Sequence, residues 1–487
     1  MGPWLNPTTL TAILHVLIVG GIAIRVVMNR PATGVALAWL FLVAAVPLGG
    51  AFFYVLFGER RVSSTRARRI ARARTDFEEL TRLAVRAGMT DVDWSRHRPC
   101  AEAMARMGQR LAGAPTVHGS DLDLIHDTRA ILESIARDID AAQQSVLMEF
   151  YIWHAGGRAD DVLEALKRAA GRGVTCRLLV DEIGASAWWR TAQPQALRDA
   201  GVEVRPALPV GVFRTFIGRN DLRLHRKIVV IDSQVAWTGS MNLVDPRFFK
   251  QDAGVGEWVD AMVRVRGSTV AALAATQIGD WALETGEPVL ELVRTAHLEL
   301  TEPEGTEDVQ VVPSGPLETD DGLIQMLLAT VNAARRELLV TTPYFVPDEA
   351  MLRALRAASA RGVDVKLIVP ERVDSFLVRH ASRSYFDELM DVGVEIHRYR
   401  GGLLHTKAVC ADGEISMFGT VNLDMRSLWL NYEVSLFVYG KDFGEALRSL
   451  IRDYLKDCER VDPEAWNARP FARQFLENAV RLFSPLL

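Results

Sequence analysis

Cysteine is scarce in this chain: Cys100, Cys176, Cys410 and Cys458 are scattered through 487 positions. No two share a CxxC spacing. They read as ordinary thiols of a reducing compartment, not as a disulfide framework or a metal site. A basic excess is also missing. The chain has 56 Lys and Arg against 61 Asp and Glu, a net charge of −5, whereas general nucleic-acid binders carry surplus cation to meet phosphate. Charge of either sign is absent from residues 1–24 and again from residues 34–57. The second stretch is long enough to cross a hydrocarbon core of about 30 Å at about 1.5 Å per residue, and Pro47 within it predicts a kink. The first run, Leu10 to Ile24, contains His15 and ends against Arg25 and Arg30. It either spans, with Arg25 reaching the interface, or lies in the interface. No basic stretch precedes it, which argues against a cleavable signal peptide.

Residues 1–58 are therefore expected to form a membrane hairpin, with helices at about 8–28 and 34–57. Behind it Arg60, Arg61, Arg66, Arg68, Arg69, Arg72 and Arg74 crowd fifteen positions. By the positive-inside rule this cluster keeps the large soluble part in the cytoplasm. The same cluster suits attraction to anionic headgroups, while a solvated helix face is the plainer reading.

The chain's strongest signal is a repeat. After His225 come Lys227, Asp232, Gly239, Ser240 and Asn242; after His405 come Lys407, Asp412, Gly419, Thr420 and Asn422. Each member of the second set lies 180 positions after its counterpart. Two copies of one structural unit, each delivering a His and a Lys to one site, account for this. Such a set suits a phosphodiester. A neutral imidazole can attack phosphorus, and a protonated one can donate to the departing alcohol. The lysines can hold the charge on the non-bridging oxygens, so neither a metal nor a cofactor is needed.

His and Lys at i and i+2 enter apolar runs, Ile228 to Ile231 and Ala408 to Cys410, which predicts both side chains on one face of a β-strand. Turns are expected at Asp232-Ser233 and Asp412-Gly413. The candidate catalytic set is His225, Lys227, Asp232, His405, Lys407 and Asp412, with the two aspartates read as turn or ion-pair residues and not as proton carriers. Ser240, Asn242, Thr420 and Asn422 are candidate uncharged donors to substrate. Glu433 and Asp260 lie on later strands at matching places in the two halves. Each is a candidate to bond the far ring nitrogen of a His and fix its tautomer, with Glu257 as rival in the first half.

Strands alternating with helices predict α/β layers around mixed sheets. A basic connector is expected over 59–120, a first domain over 121–300 and a second over 317–487, with Glu302 to Pro316 as linker and a pseudo-twofold axis through the site. Segments Ala130–Ala142, Asp160–Ala170, Leu323–Arg336 and Glu349–Ala360 read as helices. Segments Ser145–Trp153, Cys176–Val180, Glu337–Val346 and Val365–Val369 read as strands. Tyr151, Asp181, Glu182 and Tyr344 are candidate pocket residues, with core or salt-bridge roles as the alternative. Trp188, Trp189, Phe213 and Phe216 either meet acyl chains or form a buried cluster. Amphipathic segments Phe443–Tyr454 and Arg469–Leu482 are expected to pack on the second domain.

His-x-Lys-x4-Asp-x6-Gly-Ser/Thr-x-Asn, present twice, resembles the phospholipase D superfamily. The runs from Gly239 to Pro246 and from Gly419 to Glu433, and the C-terminal Arg481 to Leu487, are similar to bacterial cardiolipin synthases. That resemblance implies two phospholipase D-like α/β domains in an inner-membrane protein whose substrates and partners are anionic phospholipids. Two phosphatidylglycerols would give cardiolipin and glycerol through a phosphohistidine, with His225 as nucleophile and His405 as acid and base. A phospholipase D, or a transferase using phosphatidylethanolamine or another alcohol, would share this catalytic set. A non-enzymatic lipid tether would not need the paired histidines. Oligomeric state is not legible.

Overall fold

The structure, a computed structural model, describes residues 7–31, 33–46, 48–58, 63–211, 221–316 and 321–484. Two compact units are present: residues up to Thr65 with Val210–Asp221, and Arg66–Pro209 with Leu222–Leu487.

In the smaller unit, helices α1 (Pro7–Asn29), α2 (Thr33–Ala45) and α3 (Gly49–Phe57) pack around Val26, Val43 and Tyr54. Among the described residues, the helix starting at Thr8 is the one long and apolar enough to cross a membrane. The helix expected over 34–57, with a kink at Pro47, is divided into two, α2 and α3. Its 13-residue first part, α2, would reach only about 20 Å, and Leu48 adopts a left-handed conformation before α3 begins. Pro47 itself lies outside the described residues. Leu17, Ile24, Phe41 and Phe52 remain exposed, an outer surface that water disfavours and lipid suits.

The larger unit is built on one fifteen-stranded sheet. Its first seven strands are β1 (Thr116–Ile125), β2 (Ser145–Phe150), β3 (Thr175–Asp181), β4 (Glu203–Ala207), β5 (Ile228–Ile231), β6 (Val235–Gly239) and β7 (Met262–Gly267). The next seven are β8 (Glu307–Ser314), β9 (Glu337–Thr341), β10 (Asp364–Pro370), β11 (Glu395–Tyr399), β12 (Ala408–Ala411), β13 (Ile415–Gly419) and β14 (Glu433–Tyr439). Inward from the edge, the first half runs β4-β3-β2-β5-β6-β7-β1. The second runs β11-β10-β9-β12-β13-β14-β8, with a short β15 (Cys458–Arg460) outside β11. The order is thus the same in both halves with every number raised by seven. The halves join where β1 and β8 pair antiparallel, Val117 opposite Val309. Within each half the outer three strands are parallel, and the pairs further in are antiparallel.

The forecast helices occur as α6 (Thr128–Ala141), α7 (Arg158–Gly171), a helix over Gly322–Ala333 and one over Glu349–Ala360. Their buried stripes cover one face of each half-sheet. The opposite faces of both halves share a single core in which Ile228, Val263 and Trp281 belong with Ala408, Phe418 and Val434.

Three boundaries differ from expectation. The stretch 302–316 is not simply a linker, because Glu307–Ser314 with its apolar Val309, Val311 and Val312 makes β8, buried except at Pro313 at the centre of the sheet. The first half starts earlier than Asp121, since β1 opens at Thr116. The connector is also more than a tether. Its helix α4 (Ser64–Arg86) and helix α5 (Pro99–Ala112) join the fold, Ala101, Met104 and Ala105 of α5 packing into the core with Leu323 and Leu327.

The two C-terminal segments are helices over Lys441–Lys456 and Phe471–Arg481. The former buries Phe443, Leu447, Leu450, Ile451 and Tyr454. The latter buries only Glu477 and Val480.

Candidate active site

His225 and Lys227 do not lie in regular strand. They occupy an extended stretch that ends where β5 begins at Ile228, and His405 and Lys407 precede β12 in the same way. What holds these stretches extended is the other half. The His225 amide donates to the Tyr432 carbonyl and the Tyr432 amide to that of Arg223. The His405 amide donates to the Val259 carbonyl and that of Leu403 to Glu257. Each imidazole is therefore carried on a short parallel pairing between halves, Leu224 with Tyr432 and Leu403–Leu404 with Trp258–Val259.

This crossing settles where the carboxylates go. Sequence position matched Asp260 to the first half and Glu433 to the second, yet each serves the opposite histidine. His225 Nδ1 lies 2.8 Å from Glu433 Oε2 and His405 Nδ1 lies 2.7 Å from Asp260 Oδ1. Glu257, the rival, is exposed and contributes only its carbonyl, which accepts from the Leu403 amide. Burial alone would raise both carboxyls. The facing histidine, the nearby lysine and a hydroxyl outweigh it and hold Asp260 and Glu433 below their ordinary values. A charged carboxylate accepts the Nδ1–H, which leaves Nε2 of each ring with a free lone pair.

Burial lowers the His225 imidazole to about 4, against the opposing pull of Glu433; it lowers His405 to about 4 against that of Asp260. Lys227 and Lys407 both push each imidazole down, so the two lysines lie close to both rings. Both ammonium groups are fully buried, and each donates to the carbonyl of the histidine two residues before it. Burial pushes Lys227 down to about 8 and Lys407 well below the usual lysine value. Burying such charges is unfavourable unless they are paired. The arrangement is four cationic or potentially cationic groups around two carboxylates, a local field suited to a further anion.

Ser240 and Thr420, expected to face substrate, are spent on the carboxylates: Ser240 Oγ donates to Asp260 Oδ1 at 2.6 Å and Thr420 Oγ1 to Glu433 Oε2 at 2.5 Å. Asn242 Oδ1 accepts from the Ile152 amide while its Nδ2 is buried without a partner among the described residues. Asn422 Nδ2 donates to Ser427. Asp232 and Asp412 are removed from the catalytic chemistry. Asp232 accepts from the amides of Gln143, Gln144 and Ser145. Asp412 accepts from those of Arg335, Arg336 and Glu337 and from the Arg98 guanidinium. Both also sit at positive φ, as do Ser233 and Gly413 after them, the backbone of a tight hairpin turn. Gly239 and Gly419 are required for close approach. A Cβ on Gly239 would lie 2.5 Å from the Ala261 carbonyl, and one on Gly419 would collide with that of Val434.

Of the candidate pocket residues, Tyr151 stands edge-on to His225 at 4.9 Å between ring centroids, with Lys227 Nζ 5.6 Å from its ring. Tyr344 is half-buried and donates to Asp374. Asp181 has the structural role, accepting from the amides of Ile183, Gly184 and Leu224, and Glu182 is half-buried. Trp188 belongs to a buried aromatic cluster, stacked on Trp153 at 5.0 Å and flanked by Trp189. Phe213 and Phe216 lie outside the described residues.

Two contributors were not foreseen. Trp258 lies against the His405 ring at 4.3 Å, and its place two residues before Asp260 was the available signal. Arg226, between the motif His and Lys, is buried. It donates to the Glu433 carbonyl, the Ser314 carbonyl and Asp280. Part of the basic cluster is also used internally. Arg66 pairs with Glu284, and Arg69 donates to the Leu283 and Glu284 carbonyls at the end of helix Thr269–Thr285, where cations suit the exposed carbonyls.

Two histidine–carboxylate pairs and two buried lysines on one α/β sheet make a site suited to phosphodiester chemistry. Residues 135–270 and 327–455 match the cardiolipin synthase, phospholipase D-like domain. The chain is 43% identical over 472 residues to cardiolipin synthase A of Yersinia pseudotuberculosis, covering 97% of this chain and 96% of that one, and equally to that of Yersinia pestis. The chain belongs to the cardiolipin synthase family of phospholipase D-like proteins. In fold it is similar to the crystal structure of phosphatidylserine synthase from Haemophilus influenzae, with TM-score 0.60 and 14% identity over 79% of this chain and 100% of that one.

Proposed function

We propose that the chain joins two phosphatidylglycerol molecules into cardiolipin and releases glycerol. The reciprocal pairing of His225 with Glu433 and His405 with Asp260 is the observation that carries this reading. His225 Nε2 attacks the phosphorus of the first lipid, and the bond from phosphorus to the glycerol oxygen breaks. His405, protonated, gives its proton to that oxygen, and glycerol leaves. The hydroxyl of a second phosphatidylglycerol then loses its proton to His405 and attacks the phosphohistidine. The P–N bond breaks and cardiolipin departs. Lys227 and Lys407 hold the non-bridging oxygens through both steps, and Asp260 stabilises the imidazolium of His405. A phosphodiester anion beside the lysines favours one proton on the histidine pair, offsetting the burial that lowers both rings.

The repeated strand order supports two copies of one unit about a pseudo-twofold axis through the β1–β8 pair, best bounded by their first strands at Thr116 and Glu307. The apolar N-terminal helices support a membrane hairpin, and the arginines beyond residue 59 support a catalytic part on the cytoplasmic side.

The deciding assay is the purified full chain in mixed micelles with phosphatidylglycerol alone. Cardiolipin with released glycerol is expected. Phosphatidic acid as main product would replace transfer by hydrolysis, and absence of either product would remove this substrate. Trapping a phosphorylated peptide containing His225, not His405, is expected with a slow substrate.

A further inference from the structure

The helices Phe376–Arg383 and Phe471–Arg481 lie side by side: Tyr385, just after the first, bonds through its hydroxyl to Ser484, just after the second, and Arg481 stacks on the Tyr385 ring at 4.2 Å. Their inner faces are buried, but their outer faces are not. Phe471 is 80% exposed, Phe475 64% and Phe376 54%, with Leu377 also exposed. Phe471 and Phe475 stand one turn apart with ring centroids 6.2 Å apart. Single exposed apolar residues are ordinary, whereas a group of aromatics on neighbouring helices marks a surface meant to be covered.

Charge identifies the cover. Among the described residues Arg372 donates to the Gly254 carbonyl and to no carboxylate. Arg379 lies over the Phe376 ring and has no carboxylate partner among the described residues. Among the described residues Arg383 has no ion-pair partner; Arg473, Arg379 and Arg398 repel its charge and Glu477 attracts it. Burial and these like charges lower its guanidinium to about 10. Arg473 and Arg398 pair with Glu477 and Glu459, whereas Arg379 and Arg383 have no carboxylate partner among the described residues; crowding such guanidinium groups is unfavourable by itself and is relieved by an external anion. Cations beside exposed aromatics are the composition of a helix that lies in a membrane interface among anionic headgroups.

The same face leads to the catalytic centre. Asp374, two residues before Phe376, accepts from the Tyr344 hydroxyl and pairs with Lys250 at 3.0 Å. Lys250 lies 5.4 Å from the Trp258 ring, which packs on His405. Next to Lys250, Phe248 is again an exposed aromatic.

We propose that the helices Phe376–Arg383 and Phe471–Arg481, with the loop at Phe248–Lys250, form a docking surface for a bilayer containing anionic phospholipid, which sets the approach to the site against the lipid. Phe471, Phe475, Phe376 and Leu377 enter the interface, and Arg372, Arg379 and Arg383 meet phosphate. The claim is independent of which alcohol accepts the phosphatidyl group, and its test reads environment instead of turnover.

The test uses the full chain with Cys100→Ser and Cys458→Ser, which removes the two cysteines that are not buried. Phe475→Cys is labelled with acrylodan, and the protein is placed one copy per nanodisc. Glu164→Cys on α7, labelled alike, is the exposed reference. In discs containing phosphatidylglycerol, a blue-shifted emission and a several-fold loss of iodide quenching are expected at position 475 and not at 164. Adding Arg379→Gln with Arg383→Gln should reverse most of the shift, with thermal melting confirming that the variant folds. Quenching at 475 equal to that at 164 would overturn the proposal. So would shielding that appears only in discs with two copies, which would make the occupant a second chain. Equal shielding in discs of phosphatidylcholine alone would overturn the anionic requirement.

Discussion

A histidine whose Nδ1–H is held by a charged carboxylate presents one defined lone pair at Nε2, and here that restraint is applied twice. Glu433→Gln and Asp260→Asn keep shape but lose the charge that fixes the tautomer and supports the imidazolium. Each is expected to lower kcat by on the order of 10²- to 10⁴-fold, with KM little changed in a mixed-micelle assay. His225→Ala and His405→Ala should each abolish turnover while membrane insertion persists; substantial product from both would remove the two-histidine chemistry. Lys227 gives the pH signature. Its value is pushed down to about 8 by burial, so its positive charge is present below that pH and lost as pH rises through it. The rate kcat/KM should therefore decline above about pH 8, and Lys227→Arg should abolish that limb or move it upward. A limb unmoved by the change would assign it to another group.

Among the elements, the hairpins β5–β6 and β12–β13 set the approach of each histidine to the opposite half. Their turns are tied by Asp232 and Asp412, each accepting three backbone amides. Asp412→Ala leaves those three amides without their acceptor and removes one of the carboxylates of the Arg98 guanidinium, which still pairs with Glu414, a loss on the order of 1–3 kcal/mol. The melting temperature should fall while the kcat of folded protein stays near that of the parent. A large loss of kcat without loss of stability would return this aspartate to the chemistry. These turns were legible in the sequence because Asp-Ser and Asp-Gly between apolar runs state their geometry locally. Strand β8 was not, because the Glu and Pro residues around it carry a linker's composition and its burial comes from β1 and β14 on either side. Nor was the break between α2 and α3 fully visible, since composition reports apolar length but not whether one helix continues through it.

At the scale of the molecule, the site exists only because the halves exchange contacts: His225 and Glu433 are 208 positions apart, His405 and Asp260 145. Mixing the His225→Ala chain with the His405→Ala chain should restore no activity, because each intact site needs both halves of one chain. Recovery of cardiolipin formation on mixing would show halves exchanged between copies. The sequence by itself determined the duplication, the residue types of the site and the class of chemistry, because a repeat of 180 positions with matched spacing is a local record. Only the tertiary structure decided which carboxylate serves which histidine and that Ser240 and Thr420 hold those carboxylates. Spacing along a strand cannot say which edge of the opposite half that strand will meet, and the β1–β8 junction and the parallel pairings at Leu224 and Leu403–Leu404 make that choice.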